Sequence, residues 1–283
     1  KWATSRYKFS MNALHPVEKK NCKGISGILM HLYCYLLVGV AFMPQLYIIY
    51  LSFRNCSGAI FKPGFSLGNY EQAMKKLLGR SIGNTALLGV IALAIIIVIA
   101  VLIAYLVVRR SSALNNAIDT ISMLPYIMPG AVIGLALLMA FGKKPFALTG
   151  TLAIMVISFV IRRLPYTIRS ATATLMQISL SIEEAAISLG ASKLKTFMKI
   201  TVPMMANGIL SGAILSWVAI VTEMSSSIIL YSNKSITLTM STYLAILRGN
   251  DGIAAAFAAI LTVVTTLSLV LYLKVSKSED VRL

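Results

Sequence analysis

The segment Ser181–Pro203, SIEEAAISLGASKLKTFMKITVP, is polar and well patterned, lies between strongly apolar neighbours, and decides how the rest of the chain is read. Ser181 and Glu184 have the S-x-x-E spacing of a capping box, in which a hydroxyl and a carboxylate satisfy the orphan N–H groups of a helix start. Glu183 and Glu184 place negative charge at the positive end of the helix dipole. The spacing predicts a helix through Ala185, Ala186 and Leu189 that stops at Gly190, a residue suited to a left-handed C-cap. Ser192 is then the cap of a second short helix carrying Lys193, Leu194, Lys195, Phe197, Met198 and Lys199, with Pro203 at its end. Small and apolar on one side and charged on the other, the pair reads either as a plug for a groove on another protein or as an amphipathic pair on a membrane surface.

Outside this segment the chain is mostly apolar: 58% of its 283 residues are hydrophobic and the mean hydropathy is +0.82. That excludes an ordinary soluble domain. The net charge of +17 does not point to nucleic acid, because the basic residues flank apolar runs instead of forming one patch. Cys22, Cys34 and Cys56 fall in different compartments of the topology below and make no disulfide framework. His15 and His31 are far apart, and His31 reads as a packed or interfacial histidine. The fourteen methionines read as flexible packing, since soft thioethers suit Cu(I) and not hard ions. No G-x-x-x-x-G-K-[ST] run is present, so this chain is not expected to cradle ATP phosphates by that means.

Residues 1–26 carry six Lys/Arg against Glu18 alone and are expected to be a cytoplasmic leader or linker, without the pattern of a cleavable signal peptide. The expected transmembrane region covers residues 27–275, in six spans near 27–53, 82–108, 120–141, 151–161, 206–231 and 253–273. The fourth is short and is expected to start earlier or continue past Arg162. The second is the clearest, with no charge over more than twenty residues. The third is broken by Pro125, Pro129 and Gly130, which suits a pore-lining helix or a simple packing kink. The loop 54–81 is expected to hold a short helix over 69–78. The polar loop containing the opening segment is expected over about 166–204, and a charged tail over 276–283. An even number of crossings puts both ends on one side. With the ends and the polar loop inside, the inner segments hold 17 of the 26 Lys/Arg and the outer segments 9. That bias favours a cytoplasmic loop and cytoplasmic ends, Lys143 and Lys144 notwithstanding.

Glu223, in WVAIVTEMSSSIIL, is an acid within an apolar span, at a cost of about 2.5–3.5 kcal/mol if central. It reads as a pathway carboxylate among the hydroxyls of Thr222, Ser225, Ser226 and Ser227, as the partner of a basic residue, or as a side chain snorkelling to the outer interface.

The spacing Glu184-Ala185-Ala186, Gly190, Ile200, Pro203 resembles the EAA loop of permeases in binding-protein-dependent type I ABC importers, with Val202 where leucine is usual. The segments 124–138, 161–179 and 222–231 are similar to the ferric-iron branch of that family, whose relatives include aminoethylphosphonate, polyamine and sulfate or molybdate permeases. The resemblance implies an all-α membrane protein of about six transmembrane helices with a cytoplasmic coupling helix between spans four and five. It implies alternating access without covalent chemistry. By the same resemblance ATP and Mg would belong to a partner ABC ATPase dimer, and no cofactor is expected on this chain. An extracytoplasmic substrate-binding protein would deliver cargo, and a second permease half, fused or separate, would complete the channel in the lipid of the bacterial cytoplasmic (inner) membrane. Glu184 and Gly190 would orient the loop, with Ala185, Ala186 and Leu189 in the ATPase groove and Ile200 and Pro203 completing the motif. Glu223, Ser225, Ser226, Pro125 and Pro129 are the candidate pathway residues; metal ligands are unassigned. The chain is expected to be the second half of a longer, two-half polypeptide. The competing classes are an ATP-independent secondary transporter, which would show paired broken helices in an internal repeat, and a polytopic membrane enzyme, for which the two histidines and nine acids supply no placeable cluster.

Overall fold

The computed structural model describes residues 24–110 and 112–279. The expected leader lies almost wholly outside the described residues, as does the end of the tail. The chain divides into two units, residues 1–46 and 47–283. In the first, the described part is the beginning of α1 (Ile25–Ser52), whose apolar side chains are exposed along nearly its whole length. Within it, His31 Nδ1 lies 2.7 Å from the Gly27 carbonyl one turn back, so the histidine is satisfied locally.

The second unit begins with the last turn of α1 and a two-stranded antiparallel hairpin, β1 (Arg54–Ser57) and β2 (Ile60–Phe65), paired Cys56 to Phe61 and Ser57 to Ile60. Gly58 turns the hairpin at φ +65°. Then come α2 (Gly68–Lys76), α3 (Leu78–Arg109), α4 (Ala113–Ile127), α5 (Gly130–Ala140), α6 (Leu152–Gln177), α7 (Leu180–Ser188), α8 (Lys193–Met204), α9 (Ala206–Val221), the single turn α10 (Ser227–Leu230), α11 (Leu238–Leu247) and α12 (Asp251–Glu279).

Helices α1, α3 and α12 are long and apolar enough to cross a membrane. The pairs α4–α5 and α8–α9, bent by 109° and 66°, bring the number to as many as five if each is one broken span. Helix α6 falls outside that set because of its charges, yet its 26 residues reach about 39 Å at 1.5 Å per residue, more than the ~30 Å of a hydrocarbon core.

Several boundaries differ from the sequence reading. The fourth span continues past Arg162, one of the two extensions expected, and runs through Arg163 and Pro165 to Gln177, because its charges find partners inside the fold. The polar loop therefore begins after Gln177 and not at 166. The fifth span breaks at Val221 instead of reaching Tyr231. The hairpin and α11 fill stretches expected to be irregular.

Three apolar clusters join these helices. Leu88, Ala92 and Ile96 of α3 meet Ile154, Met155 and Phe159 of α6, Ile133 and Leu137 of α5 and Ile220 of α9. Towards the other end of α3 and α6, Val101 and Ala104 meet Ala171, Leu175, Met205 and Ile209. Leu78 and Ala73 pack with Leu238, Ala245 and Phe257. Gly208 and Gly212, spaced G-x-x-x-G, bring α9 against α6. A Cβ at Gly212 would sit 2.7 Å from the Thr167 Cα, and one at Gly208 would collide with the Thr174 side chain.

Candidate functional site: an elbow and a buried charge cluster

Two places in the second unit carry the residues singled out in the sequence. The first is the α7–α8 elbow. Its turn is a Schellman motif: the Gly190 N–H donates to the Ile187 carbonyl (2.9 Å) and the Ala191 N–H to the Ala186 carbonyl (3.1 Å). Gly190 has φ +91°, where a side chain would be strained, as the sequence reading requires. Ser192 caps α8 as expected, accepting from the Lys195 N–H.

The start of α7 is not the expected capping box. Ser179 is the N-cap, accepting from the Ser181 N–H at 3.3 Å, and Glu184 is exposed. Glu183 is the buried acid instead. Its Oε1 accepts from Arg109 Nε at 2.8 Å, and its Oε2 accepts from the Tyr105 hydroxyl at 3.3 Å. Arg109 Nη2 also donates to the Ile178 carbonyl at the end of α6, at 2.9 Å. One guanidinium at the end of α3 thus holds both the end of α6 and the first turn of α7. This ion pair fixes the rotation of α7 and turns Glu184 outward. Because Arg109 is 74 residues from Glu183, local spacing carries no sign of the pairing.

The same rotation buries Ala186 within the chain, so it is not available to a partner's groove. The outward set is Ala185, Leu189, Leu194 and Met198, with Leu189 90% and Leu194 72% exposed. Pro203 does not end α8. Phe197–Thr201 forms a π turn, with the Val202 N–H donating to the Phe197 carbonyl. This wider turn sits just before a proline that has no N–H to donate. Ile200 lies in that turn, half-buried, and the helix runs on to Met204 before bending into α9. Phe197 meets the Tyr105 ring edge-on at 4.8 Å, a second tie between the elbow and α3.

The second place is where two helix breaks meet α6. Glu223, 2% exposed, lies in the break between α9 and α10. Its Oε1 accepts from Arg162 and from the Ser226 N–H (3.0 Å) and hydroxyl (3.3 Å), and its Oε2 accepts from Arg163. Ser158 donates to the Ser226 hydroxyl at 2.9 Å. Of the three readings left open for Glu223, its geometry is that of a partner to basic residues, here two of them. Pro129 caps α5 at the other break, and Gly130 beside it presses so closely on Arg162 and Ser225 that a Cβ would collide with both. Pro129, Ser225, Ser226 and Glu223 are therefore brought together, while Pro125 lies inside α4.

By helical rise, Arg162 and Arg163 are about 21–23 Å from the α7 end of α6 and about 15–17 Å from its other end, and α9 spans about 24 Å before its break, so the cluster lies near the middle of α6. Pro165, Tyr166, Arg169 and Ser170 continue along α6 into a cleft of about 620 Å³ shared with Met123 and Tyr126 of α4 and Leu215 of α9. Arg169 pairs there with Asp119 at 3.3 Å. Among the described residues, no group of three or more His, Cys, Asp or Glu is placed to hold a metal ion.

The chain is similar in sequence or fold to known proteins. The ferric transport system permease protein FbpB of Actinobacillus pleuropneumoniae is 34% identical over 184 residues, 65% of this chain but 27% of that protein. The chain thus spans less than a third of the length of that ferric permease. The probable transport system permease protein NifC of Clostridium pasteurianum is 29% identical over 60% of this chain and 64% of its own length. A putative 2-aminoethylphosphonate transport system permease protein, PhnV of Salmonella paratyphi A, is 24% identical over 83% of this chain and 89% of its own. Among solved structures, a bacterial ABC transporter that imports the acidic polysaccharide alginate superposes with a TM-score of 0.66 at 16% identity, covering 88% of this chain and 96% of that one. The MetNI methionine ABC transporter superposes at 0.61 and 15% identity, covering 72% and 97%. At those identities the likeness is one of fold. Residues 96–278, which hold both the elbow and the charge cluster, match the family described as the inner membrane component of binding-protein-dependent transport systems, and the chain belongs to that family.

Proposed function

We propose that this chain is a membrane-spanning half of an ATP-driven importer that takes ferric iron from an extracytoplasmic binding protein, and that the α7–α8 elbow docks on a separate ABC ATPase dimer. The observation that carries the docking is the elbow itself: an exposed apolar tip, Leu189, Leu194 and Met198, on a turn closed by two hydrogen bonds and held to α3 by Glu183 and Arg109. A tip that is both apolar and rigid can transmit a push, and a free surface loop gains nothing from either property. ATP and Mg act on the ATPase. This component does no covalent chemistry. Both ends and the elbow face the cytoplasm, in keeping with the Lys/Arg bias. A second permease half completes the path.

The ferric reading rests on the identity to ferric permeases. The aminoethylphosphonate permease, matched over nearly its full length, favours a second reading, a small phosphonate or oxyanion. The test is ATP- and binding-protein-dependent uptake in cells with and without this chain. Labelled ferric iron is offered beside labelled aminoethylphosphonate and molybdate. Iron uptake that disappears with the chain supports iron as cargo. Loss of the phosphonate or molybdate signal alone refutes it.

A further inference from the structure

Two arginines and one glutamate meet at the junction of α6 with the α5 and α9–α10 breaks, which leaves an excess of one positive charge among largely buried side chains. Both oxygens of Glu223 are engaged by arginines, and Oε1 also accepts from the Ser226 N–H, so the charge of this carboxylate is already committed to cations within the fold. Arg162 Nε and Arg163 Nε, by contrast, are themselves buried and have no hydrogen-bond partner among the described residues. The arginine side chains keep 11% and 15% of their surface exposed, while Glu223 keeps 1%. The arginines are therefore the less completely enclosed members of the cluster, and they hold its unpartnered donors.

The same sign continues along the helix. Arg162, Tyr166 and Arg169 follow one another at spacings of four and three, one face of α6. Tyr166 and Arg169 line the cleft between α4, α6 and α9. Arg169, half-exposed, is paired with Asp119, so its charge is compensated and the uncompensated charge lies further back along α6, at Arg162 and Arg163. Charges in membrane spans are costly and mark the routes of charged cargo. Broken helices at mid-depth, here at 128–129 and 222–226, mark where such cargo binds.

We propose that the Arg162–Glu223–Arg163 cluster is an anion station on the transport path, so that cargo crosses as a net anion: an oxyanion, a phosphonate, or ferric iron carried within an anionic complex, and not bare ferric iron. Glu223 sets the strength of the station by neutralising one arginine. A bare trivalent cation would be repelled at this level. The inference rests on the importer reading above and adds to it the charge of what moves.

The test uses the complete transporter, with its ATPase and binding protein, in proteoliposomes. Radioactive iron is offered with radiolabelled citrate, phosphate or bicarbonate in turn, and radiolabelled molybdate and aminoethylphosphonate are offered alone. ATP-driven entry of one of the labelled anions together with iron is the expected result. Entry of molybdate or the phosphonate without iron would end the iron assignment and keep the station. Iron entering with none of the three anions would overturn the station and keep iron as cargo. No ATP-driven entry of any label would overturn the importer reading and the station with it. Arg163→Gln should lower anion entry at least tenfold, and Arg163→Lys, which restores the charge, should recover most of it, with the ATPase still co-purifying in both. Anion entry at the unmodified rate in Arg163→Gln would also refute the assignment. The co-entry measurement needs no variant, so poor folding of Arg163→Gln does not rescue the proposal.

Discussion

Removing the Glu183 carboxylate should loosen the elbow without unfolding the helices behind it. In Glu183→Ala the Arg109 guanidinium keeps the Ile178 carbonyl, but Nε, now 2.8 Å from nothing, loses its acid, and the Tyr105 hydroxyl loses its acceptor. The pair is well buried, with side-chain exposures of 10% and 7%. Stripping one partner from such a pair costs about 3–5 kcal/mol, mostly the penalty of the stranded charge. Taking ~3 kcal/mol, because Arg109 retains one acceptor, and ~1.4 kcal/mol per tenfold, local opening of α7 becomes about a hundredfold more frequent. Amide hydrogen exchange on the protein in nanodiscs reads this directly. The α7 amides after the first turn should exchange about two decades faster, with those of α9 unchanged. The double variant Arg109→Ala with Glu183→Ala should recover part of the loss, with a coupling of about 0.5–3 kcal/mol. If α7 exchange shifts by less than threefold, or the two single effects simply add, the ion pair does not hold the elbow.

Glu223→Ala should cost the folded protein and not only transport. It leaves two arginines without their acid at depth, at about 3–5 kcal/mol, and adding Arg162→Met and Arg163→Met should restore thermal stability in detergent. Gly212→Leu forces a side chain against the Thr167 backbone and should destabilise by at least ~1–3 kcal/mol, seen as a lower melting temperature; an unchanged value would mean α6 and α9 are not in register as described. Leu189→Asp combined with Leu194→Asp changes exposed positions only, so stability should stay within about 0.5 kcal/mol while co-purification with the ATPase is lost. Retained co-purification would place the docking surface elsewhere.

What the sequence made legible was local in origin. Gly190 and Ser192 do what their types and spacing demand because a C-cap and an N-cap are decided within four residues. Helix α3 is evident from its uninterrupted apolar run. The first turn of α7 misled because Ser179 and Ser181 compete as caps and Glu183 and Glu184 compete for burial. Arg109, 74 residues upstream, decides the second contest. That α6 runs past Arg162 was legible from the shortness of its apolar run, but what permits it was not: Glu223, which neutralises one of the two arginines, lies about sixty residues on. The hairpin at 54–65 carries no period-two alternation to announce it, only a Ser57-Gly58 turn. The Gly208 and Gly212 spacing is the local sequence sign of the α9–α6 contact.

Those two glycines also limit how this protein can move. Where α9 lies against α6, the Thr167 backbone and the Thr174 side chain occupy the space a methyl group would need. A translation of either helix by even one residue's rise, about 1.5 Å, would drive larger side chains into those notches. The two helices therefore travel as one plank. A change of shape is then taken up where the helices are interrupted, among other places at 128–129, at Met205 and at 222–226. Rotation about such short joints, with a stiff plank between them, is a linkage rather than a flexible channel.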